Sequence, residues 1–73
     1  MTFQEYLIAV IRCMQHNPSY RMGQCYFNVF HDHFPEHAEA ITGSWLDPFH
    51  HDDRIPAFLA DIHATVKWEE IPF

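Results

Sequence analysis

The side chains best suited to metal chemistry lie in FHHDDR, residues 49–54, where two histidines adjoin two aspartates. Imidazole nitrogens and carboxylate oxygens are common protein ligands of zinc and related divalent cations. The candidate metal ligands of the chain are therefore four consecutive residues: His50, His51, Asp52 and Asp53. On this hypothesis the chain is a small metal-binding protein rich in histidine and aspartate.

The same segment also has the pattern of a helix start. Asp53 stands where an N-cap belongs, and Pro56 falls in the first turn, where its missing N–H has no intrahelical acceptor to lose. The positive end of the helix dipole also stabilises acidic side chains there. We favour this interpretation, because the chain lacks the C-x2-4-C unit that accompanies H-x3-5-H in structural zinc sites, and it has no H-E-x-x-H pattern.

Nucleophilic catalysis has little support in the sequence. Cys13 and Cys25 fall on the apolar faces of predicted helices, and buried thiols are unreactive. We expect both to be reduced and packed as small hydrophobic residues, with a disulfide between them as the alternative. No G-x-S-x-G motif surrounds Ser19 or Ser44, and two glycines are too few for a phosphate-binding loop. We therefore predict that the chain is not an enzyme and uses no cofactor.

Apolar residues recur at spacings of three and four, which indicates amphipathic helices. The first helix begins at Phe3, because TFQE at residues 2–5 can form a capping box, and it ends near His16, ahead of Pro18. Its predicted core face consists of Phe3, Tyr6, Leu7, Val10, Ile11 and Met14. A second helix runs from about Met22 to His33, and its predicted core face consists of Met22, Cys25, Tyr26, Val29, Phe30 and His33.

Two shorter helices complete the pattern. The third spans Glu36 to Thr42, with Gly43 as a C-terminal cap. The last carries on one face Ile55, Phe58, Leu59, Ile62 and Val66. The tail KWEEIPF is expected to be irregular, with Trp68 or Phe73 folded back. The sequence thus predicts a single domain over residues 1–73, an all-α compact bundle of three to four short helices.

Ten acidic and four basic residues give a net charge of −6. Four scattered bases cannot form the patch that a nucleic acid requires, so we exclude nucleic-acid binding. The longest apolar run, LIAVI at residues 7–11, is far shorter than the roughly 20 residues that span a bilayer. The first residues also lack the features of a secretory signal. We therefore expect a cytoplasmic chain with no membrane contact.

Arg21, Gln24 and Asn28 form a polar stripe along the second predicted helix. In a structural interpretation, the loop SWLDPFHHD, residues 44–52, packs against this stripe. Arg21 then forms an ion pair with Asp47, and the side chains of Gln24 and Asn28 bond to loop carbonyls. In a functional interpretation, the stripe binds a partner.

The loop itself is the other candidate for partner binding. A chain this short cannot fully bury both Trp45 and Phe49, so we expect one of these rings to be exposed. Exposed aromatic residues are common anchors of protein interfaces, and nearby carboxylates would attract a basic partner; they belong to Asp47, Asp52 and Asp53. The alternative is that both rings pack into the core.

Two motifs resemble a known group of proteins. Y-R-x-G-Q followed by F-N comprises Tyr20, Arg21, Gly23, Gln24, Phe27 and Asn28, and D-P-F with a later D-R-I comprises Asp47, Pro48, Phe49, Asp53, Arg54 and Ile55. Together they resemble a group of short, uncharacterised proteins encoded by tailed bacteriophages and prophages, over roughly residues 3 to 60. The histidine-rich segments HDHFPEH and FHHDD lie outside this pattern.

The resemblance implies a small accessory protein made in an infected bacterium, of the kind used for host takeover or for blocking defences such as CRISPR systems. With the composition, it predicts a protein that acts by protein–protein contact, with a host protein or a second copy of itself as the partner. A metal-binding protein is the alternative.

Overall fold

Four α-helices make up most of the described chain, residues 1–70, in the computed structural model. They are α1 (Phe3–His16), α2 (Met22–His33), α3 (Pro35–Ile41) and α4 (Ile55–Thr65), and a 3₁₀ turn at Asp52–Arg54 precedes α4. Within these residues, extended pairing is limited to one isolated bridge between Thr2 and Glu69. The prediction of an all-α bundle is confirmed, and its Cα radius of gyration is 11.8 Å.

The capping box places the start of α1. The Glu5 N–H donates to the Thr2 hydroxyl at 3.1 Å, and the Thr2 N–H donates to Glu5 Oε1 at 2.9 Å. At the other end, the Asn17 side chain donates to the Cys13 carbonyl at 3.0 Å. Both predicted ends of α1 are confirmed, and so are those of α2.

Helix α2 lies at the centre of the fold, between α1 and α3. It is buried at Cys25, Val29 and Phe30, as predicted, but also at Gly23 and Phe27. Residues 25 and 27 lie on different sides of a helix with 3.6 residues per turn, so α2 buries more than one face. By contrast Met22, predicted to lie in the core, is 50% exposed.

Aromatic side chains join the helices through edge-on contacts. The Phe30 ring lies 5.5 Å from that of Phe58 at an interplanar angle of 90°, and 6.1 Å from that of Tyr6 at 81°. The buried Tyr6 hydroxyl donates to the Tyr26 carbonyl at 2.7 Å, which satisfies the polar group at the α1–α2 boundary. Burial raises the pKa of Tyr6, with a smaller contribution from Tyr26, so this hydroxyl stays a hydrogen-bond donor.

The C-terminal segment closes the core as predicted, through Trp68. Its ring packs edge-on against Phe3 at 5.1 Å and Phe34 at 5.0 Å, and its Nε1–H donates to the Ile62 carbonyl at 2.9 Å. The Glu69 N–H donates to the Met1 carbonyl at 3.1 Å. Phe73, the other candidate for folding back, lies outside the described residues.

Other sequence predictions also need correction. Helix α3 begins one residue earlier than predicted, at Pro35, and ends at Ile41. Ile11 was placed on the core face of α1 but is 51% exposed, because that helix is fully buried only at Tyr6 and Val10. Asp53 is not the N-cap of α4; the cap position is Arg54, with no side-chain bond, because the chain enters α4 through the 3₁₀ turn.

Replacing Glu5 by Gln tests the charge of the capping box. The Thr2 backbone N–H, and after it the Thr2 hydroxyl, lowers the pKa of Glu5. The charge therefore stabilises the folded chain above the unfolded-state pKa of about 4.3, and this stabilisation is lost as pH falls through the lower folded-state pKa. We expect the difference in free energy of unfolding between the two proteins, measured in urea, to be constant between about pH 7 and about pH 5 and to shrink toward about pH 3. A difference that stays constant throughout would contradict this linkage.

Candidate functional site

The segment between α3 and the 3₁₀ turn, residues 42–51, is called the Trp45 loop below. Its conformation is fixed by the carboxylate of Asp47, which accepts the Gly43 N–H at 2.8 Å through Oδ2 and the Phe49 N–H at 2.9 Å through Oδ1. An aspartate that binds backbone N–H groups of its own turn holds the chain in one conformation. Asp47 therefore supports the loop instead of standing free on the surface.

The start of the loop is set by Gly43. Its φ of +75° is a left-handed conformation that favours glycine, and it lies just after α3, as predicted for a C-terminal cap. The chain then turns, with the Ser44 N–H donating to the Ile41 carbonyl at 3.0 Å and the Leu46 N–H donating to the Ser44 hydroxyl at 3.2 Å. This turn lets Leu46 pack against the core while its neighbour Trp45 is exposed.

The end of the loop packs on the first turn of α2 at Gly23. A Cβ atom at this position would overlap the Pro48 carbonyl oxygen, so the contact requires glycine. Pro48 itself is fully buried by the contact. The backbone of α2 and the backbone of the loop therefore lie directly against each other, with no side chain between them.

An aspartate from the 3₁₀ turn completes this contact. Asp52 Oδ1 accepts the Gly23 N–H at 2.9 Å. The first N–H groups of a helix have no intrahelical acceptor, and the local cap residue, Arg21, makes no side-chain bond. Asp52 thus caps α2 from 29 residues away in sequence, and its negative charge lies at the positive end of the α2 dipole.

The two aromatic rings of the loop have different environments. Phe49 is half-buried and packs edge-on against Phe27 at 6.0 Å, with an interplanar angle of 88°. Trp45 is 68% exposed, the highest value among the exposed large hydrophobic residues of the described chain. The expectation that one of the two rings is exposed is confirmed, and the ring is that of Trp45.

The predicted ion pair between Arg21 and Asp47 is wrong. Arg21 is exposed, and the ion pairs within residues 1–70 involve other side chains. The carboxylate of Asp47 is directed into its own turn instead. Gln24 and Asn28 are half-buried on α2, but the loop is bonded to this helix through Gly23 and Asp52.

The four candidate metal ligands do not converge. Within residues 1–70, no three histidine, cysteine or acidic side chains are grouped closely enough to hold a metal ion. Asp52 caps α2, the exposed Asp53 lies in the 3₁₀ turn, and the His50 ring packs on Phe49 at 4.7 Å. Elsewhere, histidines form two-residue pairs: His37 with Asp61 at 3.7 Å and His31 with Glu39 at 3.9 Å.

The remaining groups that could support chemistry lie apart from one another. Both cysteines are free thiols, and burial together with the adjacent Cys13 thiol raises the pKa of Cys25, which keeps it in the unreactive form. A shallow cleft at the α2–α3 junction is lined by Phe34, Pro35, Glu36 and His37. Neither thiol is among these lining residues.

Two other exposed hydrophobic residues lie on a segment next to the Trp45 loop. Met22 is 50% exposed and adjoins Gly23, which touches Pro48, and Tyr20, three residues before Gly23, is 41% exposed. Trp45 is three residues from Pro48 and thus at most about 11 Å from it along the chain. We call the exposed side chain of Trp45, together with the loop that carries it, the Trp45 surface.

Sequence reasoning missed the contact that positions this surface. The available signal was Gly23 itself, since a glycine within a helical pattern often marks a close approach of another backbone. Nothing in the local pattern of Asp52 indicated that it caps a distant helix instead of the one that follows. Long-range caps of this kind leave no spacing rule in the sequence.

Comparison of the chain with protein-family models, with curated proteins and with solved structures finds no match. None of the helices within residues 1–70 has the length and apolar character needed to cross a lipid bilayer. The candidate site is accordingly defined by the geometry of the chain itself, as an exposed indole on a loop fixed by hydrogen bonds.

Replacing Gly23 by Ala tests the contact between α2 and the loop. Alanine favours a helix over glycine by about 1 kcal/mol, so a free helix would gain stability. Here we expect a loss of about 2–4 kcal/mol, because overpacking costs about 1–3 kcal/mol and the hydrogen bond to the Asp52 carboxylate is also displaced. The measurement is the free energy of unfolding in urea.

Gly43→Ala is the matched control for this substitution. Position 43 has open space around a Cβ but a positive φ, so its cost is backbone strain alone, on the order of 1 kcal/mol. Equal losses at the two positions would show that the close approach of Pro48 is not what makes glycine necessary at position 23.

Fluorescence of single-tryptophan variants tests the environments of the two indoles. In Trp68→Phe, the remaining Trp45 should emit like a hydrated indole and be readily quenched by acrylamide. In Trp45→Phe, the remaining Trp68 should emit at shorter wavelength and be protected, because it is half-buried and hydrogen-bonded. Similar spectra and quenching constants for the two variants would contradict the assigned exposure of Trp45.

Proposed function

We propose that this chain is a small, non-enzymatic accessory protein that acts by protein–protein contact through the Trp45 surface. One observation carries the proposal: Trp45, which is 68% exposed, stands on a loop whose backbone is fixed by hydrogen bonds within the loop. An exposed tryptophan on a flexible loop could fold back onto the core, whereas this one is held away from it.

The physical argument is that binding energy is concentrated in a few aromatic anchors. Tryptophan is among the residues most enriched at such positions, where its truncation typically costs about 2 kcal/mol or more. A loop that is already ordered also loses little conformational entropy when a partner binds. Asp47 and Asp52 contribute by holding the loop in place, and Phe49 anchors it to α2.

The charge of the chain indicates the kind of partner. The net charge is −6, and the segment from Asp32 to Asp61 contains seven acidic residues and one arginine. Asp53 is exposed next to the loop. A field of one sign accelerates association with a partner of the opposite sign, so the proposed partner presents a basic surface around a pocket for the indole.

The motifs of the sequence supply the proposed biological setting. Gly23, Asp47, Pro48 and Phe49, which belong to the pattern of the phage and prophage proteins, all take part in positioning the Trp45 loop. We therefore propose that the chain works in the cytoplasm of an infected bacterium on a basic host protein, in host takeover or in blocking a defence system. Arg21, Gln24 and Asn28 would form the border of the contact.

Trp45→Ala tests the proposal. The variant should keep the melting temperature of the wild type, because the indole packs little against the core, and should weaken partner binding by about 30-fold. The assay is quantitative pull-down from lysate of a bacterial host, followed by titration of the captured protein at low and high salt. Ile8→Ala is the matched control, since Ile8 is a large hydrophobic residue, 48% exposed, on α1.

Two results would overturn the proposal. The first is a captured partner that binds Trp45→Ala and the wild type equally well. The second is unfolding of Trp45→Ala, which would place the ring in the core. Binding that is unchanged by salt would remove the charge argument while leaving the indole as the anchor.

A further inference from the structure

The outer face of α1 carries a strip of four residues, called the α1 strip: Gln4, Ile8, Ile11 and Gln15. All four are exposed in the monomer, and the two isoleucines are 48% and 51% exposed. Hydrophobic residues usually occupy the core face of an amphipathic helix, which on α1 contains Tyr6 and Val10. Two isoleucines on the opposite face are not explained by the packing of the monomer.

The strip has the same spacing in both directions. Its intervals are four, three and four residues, with glutamine at both ends and isoleucine at both inner positions. If a second α1 lies antiparallel about a twofold axis, each Ile8 faces an Ile11 and each Gln4 faces a Gln15. The strip is then complementary to itself over about 17 Å of helix, at 1.5 Å per residue.

The charges beside the strip have the same symmetry. Glu5 and Arg12 are exposed and lie on one flank of it, seven residues apart. In the antiparallel arrangement, Glu5 of one copy lies about 3 Å along the axis from Arg12 of the other, within reach of both side chains. In a parallel twofold arrangement, this flank of one copy would lie on the opposite side of the contact from the same flank of the other copy, so Glu5 and Arg12 would not meet. Residues 3–16 carry one acid and one base within a chain of net charge −6, so this face lacks the repulsion of the rest of the surface.

We propose that the α1 strip binds a second copy of this chain in an antiparallel, twofold-symmetric dimer. The contact joins two helices of 14 residues and buries on the order of 800 Å² in total, below the roughly 1,200 Å² of stable interfaces. The dimer is therefore weak and forms at high protein concentration. The α1 strip and the Trp45 surface share no residue, so dimerisation does not depend on the proposed function.

Engineered charges at the ends of the strip test the orientation. Gln4→Glu/Gln15→Lys places opposite charges face to face in the antiparallel dimer and should tighten it by about fivefold. Gln4→Glu/Gln15→Glu places like charges there and should weaken it by a similar factor. Both positions are exposed, and glutamate at position 4 suits the α1 dipole, so the fold is retained. Dissociation constants come from sedimentation equilibrium.

Ile8→Gln tests the centre of the strip and should weaken dimerisation by at least tenfold while circular dichroism stays unchanged. Met22→Gln is the matched control, because Met22 is 50% exposed on α2, and Trp45→Ala is a second one. Both controls should dimerise like the wild type. The proposal is overturned if the wild type is monomeric at millimolar concentration, if a control weakens dimerisation as much as Ile8→Gln, or if the two charge pairs have the same effect.

Discussion

The close approach of two backbones at Gly23 joins α2 to the loop and the 3₁₀ turn that lead into α4. The Pro48 carbonyl occupies the space that a side chain at position 23 would need, and Asp52 binds the Gly23 N–H beside it. This contact orients the Trp45 loop on one side and leads through the 3₁₀ turn into α4 on the other. Helix α4 follows the 3₁₀ turn and packs Phe58 against Phe30, so the chain is held to α2 again farther along that helix.

The acidic residues of this region act mainly on backbone N–H groups. Asp47 binds two of them within its loop and Asp52 binds one on a different helix. A carboxylate satisfies such groups well, because a charged acceptor makes a stronger hydrogen bond than a neutral one. The acidity that first suggested a metal site therefore stabilises a stretch of chain with little regular secondary structure.

The helices could be predicted from the sequence because their signals are local. The TFQE capping box, the asparagine before Pro18 and the glycine after α3 each fix a helix end within a few residues, and the structure has these ends within one residue of the predictions. The predictions that were wrong concern residues whose contacts are made by distant parts of the chain. Asp53 was predicted to cap α4 from its position ahead of the helix, but the adjacent Asp52 binds α2, and a 3₁₀ turn takes the place of the cap.

The same limit applies to the candidate site. Composition and size predicted that one loop ring would be exposed, but the identity of that ring depends on the turn at Ser44, which directs Leu46 inward and Trp45 outward. Ile11 of α1 was likewise placed in the core, because spacing alone shows a broad apolar face of the helix and does not show how much of that face its neighbours cover.

The way Trp68 closes the core also affects resistance to proteases. The ring covers Phe3 and Phe34 and its indole N–H binds the last turn of α4, yet it directly follows the exposed Lys67. Cleavage by a trypsin-like enzyme after Lys67 would leave the ring held by noncovalent contacts alone, and loss of the ring would uncover Phe3 and Phe34. Proteases cut segments that open locally, so the resistance of this bond to trypsin depends on how rarely the segment that carries Trp68 detaches.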